Sequence, residues 1–584
     1  MPTVVASTSF TIEVDGRALA QNIAAGVVQV LVDDSLHQPD TFAIWLQETQ
    51  EMDIATQAHV DVGSKVKIST ASVNDNTPVV LIDGEVTSLE GEYRSDKASM
   101  LVVRGYDLAH RLMRGRKNKV WIGVKYSDIA QTIANDAGLT VGTVDDSGQT
   151  FDFVHQHGQT DWDFLKALSK LVNFEVSVPD GQFTFRRPIP ASGAPASGDL
   201  ASRDPLTLVF GQDLAEFRPR ITAGGQATSV VVRGWDVGNK ANLLGEKPVE
   251  TTSVKLKDGT DPAALAAKFG SPVDTSGERP HATQEAVDAA AGSLAEQIGS
   301  AFAEATGKVR GDPRLKAGKA VSISLVSPRF EGSYTLTRTR HTFDLREGYQ
   351  THFEVSGRND RSFLGLTGGA TGGGASTTTA GVQVGIVNDI DDPQALGRVR
   401  VQLPYADDDF ITDWARVAMP GAGKDRGMVW IPEVGDEVLV AFDHGSGRAP
   451  FVIGGLWNGK DGPPNLAIDG SELQERTFVS RTGQKIVLSD KNGSTGIKIS
   501  SKDDSLLIHI DVDNKKILIT ADSGGEVKVT SGGDFTIESQ GSVKISGATG
   551  VEISSSAQTK VSGSTLNLES SGMTAVKGSQ VALG

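Results

Sequence analysis

No cysteine occurs in the 584 residues, so neither disulfides nor thiolate metal sites hold this chain together, and thiol catalysis is excluded. Aromatic residues are scarce, at 6%. No window approaches the roughly 18 consecutive apolar residues of a membrane span. The N-terminus, Met1-Pro-Thr-Val-Val-Ala-Ser-Thr-Ser-Phe10, lacks the basic region and apolar run of a cleaved signal, so synthesis in the cytoplasm without a signal peptide is expected. Positive charge is in deficit, with 56 Lys and Arg against 73 Asp and Glu and a net charge of -17. That balance argues against a phosphate-backbone binder, and nucleic acid is not expected as a partner. Phosphate-cradling glycine loops, Ser/His/Asp nucleophile signatures and the HExxH zinc pattern are all missing.

Glycine is what the chain has in abundance, 66 residues of it, which suits short strands joined by tight turns. The length exceeds one ordinary core, so several domains are expected. Residues 1–110 read as strands with period-two alternation, as in Phe10-Thr-Ile-Glu-Val14 and Ala98-Ser-Met-Leu-Val-Val-Arg104, and predict a first β-barrel or sandwich. Over 111–204 the period changes. Ile129, Ile133 and Ala137 share one helical face within Ser127 to Gly138, and Phe164, Leu165, Leu168 and Leu171 share another within Asp161 to Val172, predicting a small α/β insert. Strands return over 205–362, interrupted by an Ala-rich helix predicted from Gln284 to Thr306 after the start signal His281-Ala-Thr283. The run Thr367-Gly-Gly-Ala-Thr-Gly-Gly-Gly-Ala-Ser-Thr-Thr-Thr-Ala380 has nothing to bury, so 363–380 is expected to be a flexible linker. A compact β module follows over 381–460, then a connector over 461–480. The fold class is mainly β with a small α/β insert.

The last segment, 481–584, is repetitive. Apolar pairs recur every eight residues at Val527/Val529, Phe535/Ile537, Val543/Ile545 and Val551/Ile553, with looser copies at Ile497/Ile499, Ile508/Ile510, Ile517/Ile519 and Leu566/Leu568. One unit supplies a short strand and a turn with two apolar side chains pointing the same way, and a single unit cannot bury its own face. Either one chain coils on itself as a β-solenoid, or three chains wind about a common axis and share a prism-shaped core. The period itself does not separate the two, and a stalk, an adhesin shaft or a solenoid carbohydrate-binding domain is also compatible with it. The three-chain form gives a stiff rod with its backbone groups in ladders except at the ends.

Chemistry is sparse. His155 and His157 face the same way on a predicted strand but have no further ligand nearby in sequence, so no metal site and no cofactor are expected. The acidic groups Asp145-Asp146, Asp391-Asp392 and Asp407 to Asp409 lie in turn-like stretches. They read as solvated loops rather than the paired carboxylates of a glycosidase.

Five segments carry a resemblance. Gly381-Val-Gln-Val-Gly-Ile-Val-Asn-Asp-Ile-Asp-Asp-Pro393, Gly397-Arg-Val-Arg-Val-Gln-Leu-Pro404, Trp414-Ala-Arg-Val-Ala-Met-Pro420, Ile431-Pro-Glu-Val-Gly-Asp-Glu-Val-Leu-Val-Ala-Phe442 and Pro450-Phe-Val-Ile-Gly-Gly-Leu-Trp457 are similar, in order and spacing, to the OB-fold module between hub and needle of VgrG proteins and phage spikes. Independently, alternation places Val399, Val401 and Leu403 inside a small barrel. The module lacks the aromatic and basic strip that stacking on bases needs. Upstream, Val102-Val-Arg-Gly-Tyr-Asp-Leu-Ala-His-Arg-Leu112, Ser127 to Leu139, Thr160-Asp-Trp-Asp-Phe-Leu165 and Tyr334 to Val355 resemble the phage late-control and hub family. Where type VI secretion forms carry a Gly-Arg-x-Tyr-Arg-type run, this chain has Met113-Arg-Gly-Arg-Lys-Asn-Lys119, which favours the phage or extracellular contractile-particle branch.

The resemblance implies two tube-like barrels per chain, an OB collar and a triple-stranded β-helix needle. It implies a structural homotrimer, not an enzyme, that joins a sixfold tail tube to a threefold needle and pierces a target-cell envelope. The partners it implies are tail-tube and baseplate proteins, effector cargo and a separate PAAR-type tip protein. The needle core is expected at Val527, Val529, Phe535, Ile537, Val543, Ile545, Val551 and Ile553. Some relatives build their own iron-bound tip from histidines, but no histidine follows His509, so a cap is expected to dock at Val581 and Leu583. The lysozyme domain of some phage relatives has no room in the stretch of about 25 residues from Leu456 to Arg481. A cell-wall hydrolase working from residues 110–200 and a receptor-binding fibre are the alternatives.

Overall fold

The computed structural model describes residues 10–48, 53–71, 77–96, 98–196, 204, 206–277, 281–358, 360, 381–404, 411–445 and 449–582. Two compact units result, Met1–Asp461 and Gly462–Gly584. The linker expected at 363–380 lies outside the described residues.

Alternation in the first strands becomes a core: Ile12 and Val14 on Phe10–Val14, Val30 and Val32 on Val27–Ser35, and Val66 and Ile68 on Lys65–Ala71 are all buried together. These strands, with Thr41–Glu48, Pro78–Glu92 and Ser99–Asp107, occupy one end of an eleven-stranded antiparallel sheet. The other end comes from far along the chain: Leu214–Ile221, Ala303–Arg310, Gly348–Val355 and Arg338–Asp344. The halves meet where Arg338–Asp344 pairs with Val27–Ser35, Arg340 opposite Asp33 and Thr342 opposite Leu31. Each strand would otherwise present an open ladder, so the joint satisfies two edges at once. Asp33, 7% exposed, fastens it by accepting from Arg338 Nε at 2.6 Å and from Arg340 Nη2 at 2.7 Å. The two strand-rich regions read from sequence thus share one continuous sheet, while Thr207–Val209, Val254–Leu256, Ala320–Ser324 and Gly332–Thr335 form a separate four-stranded sheet within the second.

The helix predicted to run from Gln284 to Thr306 does start at the Thr283 cap, whose side chain accepts from Ala286 N at 3.2 Å. It ends at Gly299, and Ala303–Arg310 is instead a strand laddered on both sides. The tertiary pairing overrides the helical preference of its alanines. The stop is tight, because a Cβ on Gly299 would lie 2.5 Å from the Glu250 carbonyl oxygen. The helix packs on a three-stranded sheet through Val287, Ala291 and Ala295.

Between the two halves, helices Tyr126–Asp136 and Asp161–Leu171 pack with the hairpin of Lys117–Val124 and Phe151–Gln159 and a small three-stranded sheet. Ile129, Ile133, Phe164, Leu165 and Leu168 are buried there, with Phe183 and Phe185 from the sheet. The marker stretch from Thr160 has a local reason. Thr160 caps the second helix by accepting from Asp163 N at 3.1 Å, while buried Asp161 accepts from Lys117 Nζ at 2.7 Å and Gln156 Nε2 at 2.9 Å.

In the module after the linker, Val399, Val401 and Leu403 are buried as the alternation required, with Val387, Val438, Val440 and Val452. Its five strands run Arg400–Gln402, Val382–Asp389, Glu437–Phe442, Pro450–Gly455 and Arg416–Val417 in spatial order. Bridges from Val399 to Ala415 and from Gln402 to Ile411 draw the ends toward closure. Asp392 departs from the solvated-loop reading. Its side chain is 3% exposed and accepts from Arg398 Nη2 at 2.6 Å and from the backbone N–H groups of Gln394 and Leu396. The Arg398 bond, foremost, holds this carboxyl well below its ordinary range. Asp407 to Asp409 lie outside the described residues. Among those described, no helix is long and apolar enough to cross a membrane.

Candidate functional site

In the C-terminal unit a short hairpin of Ile468–Asp469 and Glu472–Leu473 precedes a five-stranded antiparallel meander: Glu475–Val479, Lys485–Ser489, Gly496–Ser500, Leu506–Asp511 and Lys516–Ala521. It begins inside the stretch assigned to a connector, because Glu475–Val479 pairs along its whole length with Lys485–Ser489. Register aligns the apolar residues in two rows across the strands. One is Phe478, Ile486, Ile499, Ile508 and Ile519; the other starts from the charged Arg476 and continues through the apolar Leu488, Ile497, Ile510 and Ile517. Because side chains alternate between the faces of a sheet, both rows project from the same face. The nine apolar side chains are between 39% and 74% exposed in the single chain. On the opposite face, which also carries Val487, Leu507 and Leu518, Lys485 and Lys498 converge on Asp504.

Beyond Ala521 the character changes. The last backbone bonds are Asp522 N to Ser505 O and Gly525 N to Asp522 O, and no strand is formed among the described residues that follow. The residues picked out by the eight-residue period, Val527, Val529, Phe535, Ile537, Val543, Ile545, Val551 and Ile553, are all between 53% and 72% exposed. Val581 is likewise exposed at 51%, and Leu583 lies outside the described residues. A single chain thus carries two segments, one a paired sheet and one without strands, whose apolar side chains it does not cover. The chemistry this offers is association, because such a face is stable only against another.

Titratable clusters lie elsewhere. The rings of His155 and His157 are 5.2 Å apart. Burial, with the neighbouring His157 second, holds the His155 imidazole down at about 4. Among the described residues no group of three or more His, Asp or Glu side chains is placed to hold a metal ion. An open groove of about 490 Å³ lies against the large sheet, lined by Arg218, Lys308, Arg338, Arg340 and others. Its cations are already engaged, Arg338 and Arg340 by Asp33, Arg218 by Glu216 and Lys308 by Glu347.

Sequence reasoning missed one cluster, where Asp34, Asp40 and Asp107 meet the loop that carries Lys316. Asp34 accepts from Ala317 N and Asp40 from Ser35 N, both at 2.9 Å, and the Asp34 and Asp40 carboxyls bond to each other. A bond between two carboxyls requires a proton. Burial pushes Asp34 up to about 6, against the pull of Lys316, and pushes Asp40 and Asp107 well up, with neighbouring carboxylates adding to it; Asp180, paired to Lys316, adds to the field at Asp34. The folded chain therefore holds more protons than the unfolded one between the ordinary carboxylate value of about 4 and 6, so stability falls as pH rises through that window. Asp40→Asn, which keeps a donor without a titrating proton, is expected to flatten this dependence. Thermal melting at pH 5 and pH 7 checks it: the wild type should melt roughly a few degrees higher at pH 5, and an equal dependence in both chains would refute the shared proton.

Comparison with known proteins adds to this picture. The family described as the Alg8 N-terminal domain matches residues 5–344, and the Type VI secretion system/phage-baseplate injector OB domain matches residues 383–457. The type VI secretion system spike protein VgrG2a of Pseudomonas aeruginosa is 28% identical over 121 residues, covering 20% of this chain and 14% of that protein. VgrG3 of Vibrio cholerae is 28% identical over 116 residues, covering 19% and 11%. The match thus spans less than a sixth of the length of either relative. Among solved structures, a Francisella PdpA–VgrG complex in its half-lidded form aligns over 89% of this chain and 89% of that one, with a TM-score of 0.53 and 9% identity, a likeness of fold.

Proposed function

We propose, for a chain that belongs to the Alg8 N-terminal domain family and to the VgrG and phage-baseplate hub-and-spike family, that three copies build the hub and needle of a contractile injection machine. Kinship with VgrG spikes and phage baseplate proteins gives the chain a structural role of hub or spike. The observation that carries the finer reading is the pair of uncovered apolar segments in the C-terminal unit. A solenoid made by one chain would ladder each repeat on the next, so the missing ladder beyond Gly525 supports the three-chain alternative. Each Val or Ile side chain covered contributes roughly 1.5 to 3 kcal/mol, and the period repeats that gain along three chains. In this reading, Val527, Val529, Phe535, Ile537, Val543, Ile545, Val551 and Ile553 line the axis. About a dozen repeats, each rising ~4.8 Å, make a needle roughly 50 to 60 Å long.

The domains take their parts accordingly. Residues 1–110 and 205–362 form two tube-like halves, the 111–204 insert lies between them, 363–380 links hub to collar, and the OB module at 381–460 is the collar. Six similar surfaces in a trimer would match a sixfold tail tube, and the needle would carry force to the target envelope without catalysis. The particle is either a secretion apparatus, as for the VgrG relatives, or a phage-like or extracellular one. At the tip, exposed Val581 and its neighbour Leu583 would seat a separate small cap of PAAR type, which brings any cargo. That a Francisella VgrG is found in complex with PdpA supports a machine in which such spikes carry partners.

Light scattering of the purified chain tests the core of this reading. The expected mass is about three times 61.5 kDa, and a stable monomer at micromolar concentration would remove the trimer. Mass spectrometry of the assembled particle tests the tip, since a particle with no small additional protein at the needle end has no cap. The hydrolase alternative would require peptidoglycan turnover by the same preparation, and the fibre alternative specific glycan binding by the C-terminal part.

A further inference from the structure

The two segments of the C-terminal unit differ in what one chain completes by itself. In the meander, four successive ladders are closed within the chain across short turns, from Thr477 opposite Val487 through to His509 opposite Leu518. These are sequence-local hairpins, which form on the microsecond scale and need no partner for their backbone bonds. Only the apolar face is left over. Among the described residues, the repeats from Val527 onward have neither ladder nor cover in the single chain. Every strand they form must find its backbone partners as well as its side-chain partners in other copies.

We propose that the meander is the nucleus of trimerisation and that the distal repeats fold only upon it, layer by layer from the Ala521 end. The partner of the meander face is two further copies of this chain, and the inference rests on the trimeric reading above. Commitment to that occupant follows from continuity: the rows ending at Ile517 and Ile519 lead directly into the period that begins at Val527 and Val529. It follows also from composition, because apart from Arg476 on the first strand one face is apolar across all five strands, while Lys485 and Lys498 with Asp504 lie on the other, among Val487, Leu507 and Leu518. Three sheets that present these mostly apolar faces to a common axis cover one another and leave the Lys485, Lys498 and Asp504 side in water. Once three meanders are registered, the first distal repeats are held close together at high effective concentration, so each later layer costs less chain entropy than it would among free chains. Distal repeats on unassociated chains gain nothing until three strands meet at once, which is why they do not start the process.

Two altered chains separate nucleus from follower. A chain ending at Asp522 retains every meander ladder and is expected to be trimeric by light scattering at the concentration where the full chain is trimeric. The full-length chain with Ile499→Lys and Ile508→Lys is expected to be monomeric, with residues beyond 522 cut by trypsin, while the melting transition of Met1–Asp461 stays in place and shows that the rest is folded. A monomeric chain ending at Asp522, or a trimeric double variant, overturns the proposal. A full-length chain that is itself monomeric defeats the trimeric reading instead. Pulsed hydrogen exchange during refolding of the unaltered chain supplies a second test: amides of 475–521 should gain protection before those of 527–553, and simultaneous or reversed protection overturns the order.

Discussion

A chain carrying Val543→Asp and Ile545→Asp is expected to lose all protease protection beyond residue 543 while the preceding repeats stay intact. In the trimeric reading each substitution brings three carboxylates to one level of the axis with no cation to meet them, and burying an unpaired charge costs several kcal/mol per group. The apolar side chains they replace contributed roughly 1.5 to 3 kcal/mol each. The combined change exceeds what the repeats beyond can supply, because those repeats depend on the layer beneath for their backbone pairing. Val543→Leu with Ile545→Leu keeps the volume and apolar character and is expected to be nearly silent. Limited proteolysis read by mass spectrometry distinguishes the two. Unchanged protection in the Asp chain would mean that these side chains face solvent in the assembly.

The eight-residue period could be read without coordinates because each repeat obeys a local rule: two apolar side chains on one face of a short strand, then a turn. The same kind of rule made Val399, Val401 and Leu403 readable as core, and it located both helices of the insert to within a residue or two. Period told nothing, however, about how strands pair. The meander and the distal repeats look alike in sequence, yet one closes its ladders internally and the other does not. The difference lies in spacing. Turns between the meander strands leave room for each strand to fold back on the last, whereas the eight-residue units are shorter.

Long-range pairing was hidden for a related reason. Nothing local to Val27–Ser35 marks Arg338–Asp344 as its neighbour, and Asp33 lies 305 residues from Arg338, so the ladder that joins the two strand-rich regions is not legible in the sequence. Buried acids were hidden likewise. Asp34, Asp40 and Asp392 look like ordinary turn residues in sequence, and only the approach of Ala317, Ser35 and Arg398 shows what each holds in place. Such residues fix loops of the first unit in place.

The strongest expected effect within the first unit, Met1–Asp461, is at Arg358. Arg358→Leu should destabilise the first unit by about 3 to 5 kcal/mol, the usual consequence of stranding one member of a buried ion pair. Arg358 donates to Glu175 Oε1 at 2.9 Å and to Asn173 Oδ1 at 3.1 Å. The side chains of the pair are only 15% and 5% exposed, so solvent screens little of the loss. The contact joins the insert, through strand Glu175–Ser177, to the segment that leaves Gly348–Val355. Gly357, at φ +67, makes the turn that delivers it, since a Cβ there would lie 2.5 Å from the Ser300 carbonyl oxygen. Removing the guanidinium leaves the Glu175 carboxylate in a site that no longer stabilises its charge. Replacing both partners with apolar groups removes the stranded charge along with the bond, so Arg358→Leu with Glu175→Leu is expected to recover much of the loss. Urea unfolding followed by near-ultraviolet circular dichroism, with the midpoints of the wild type, both single variants and the double variant compared as a cycle, measures the coupling. A double variant no more stable than Arg358→Leu would show that the cost comes from lost packing at Arg358 rather than from the charge left at Glu175.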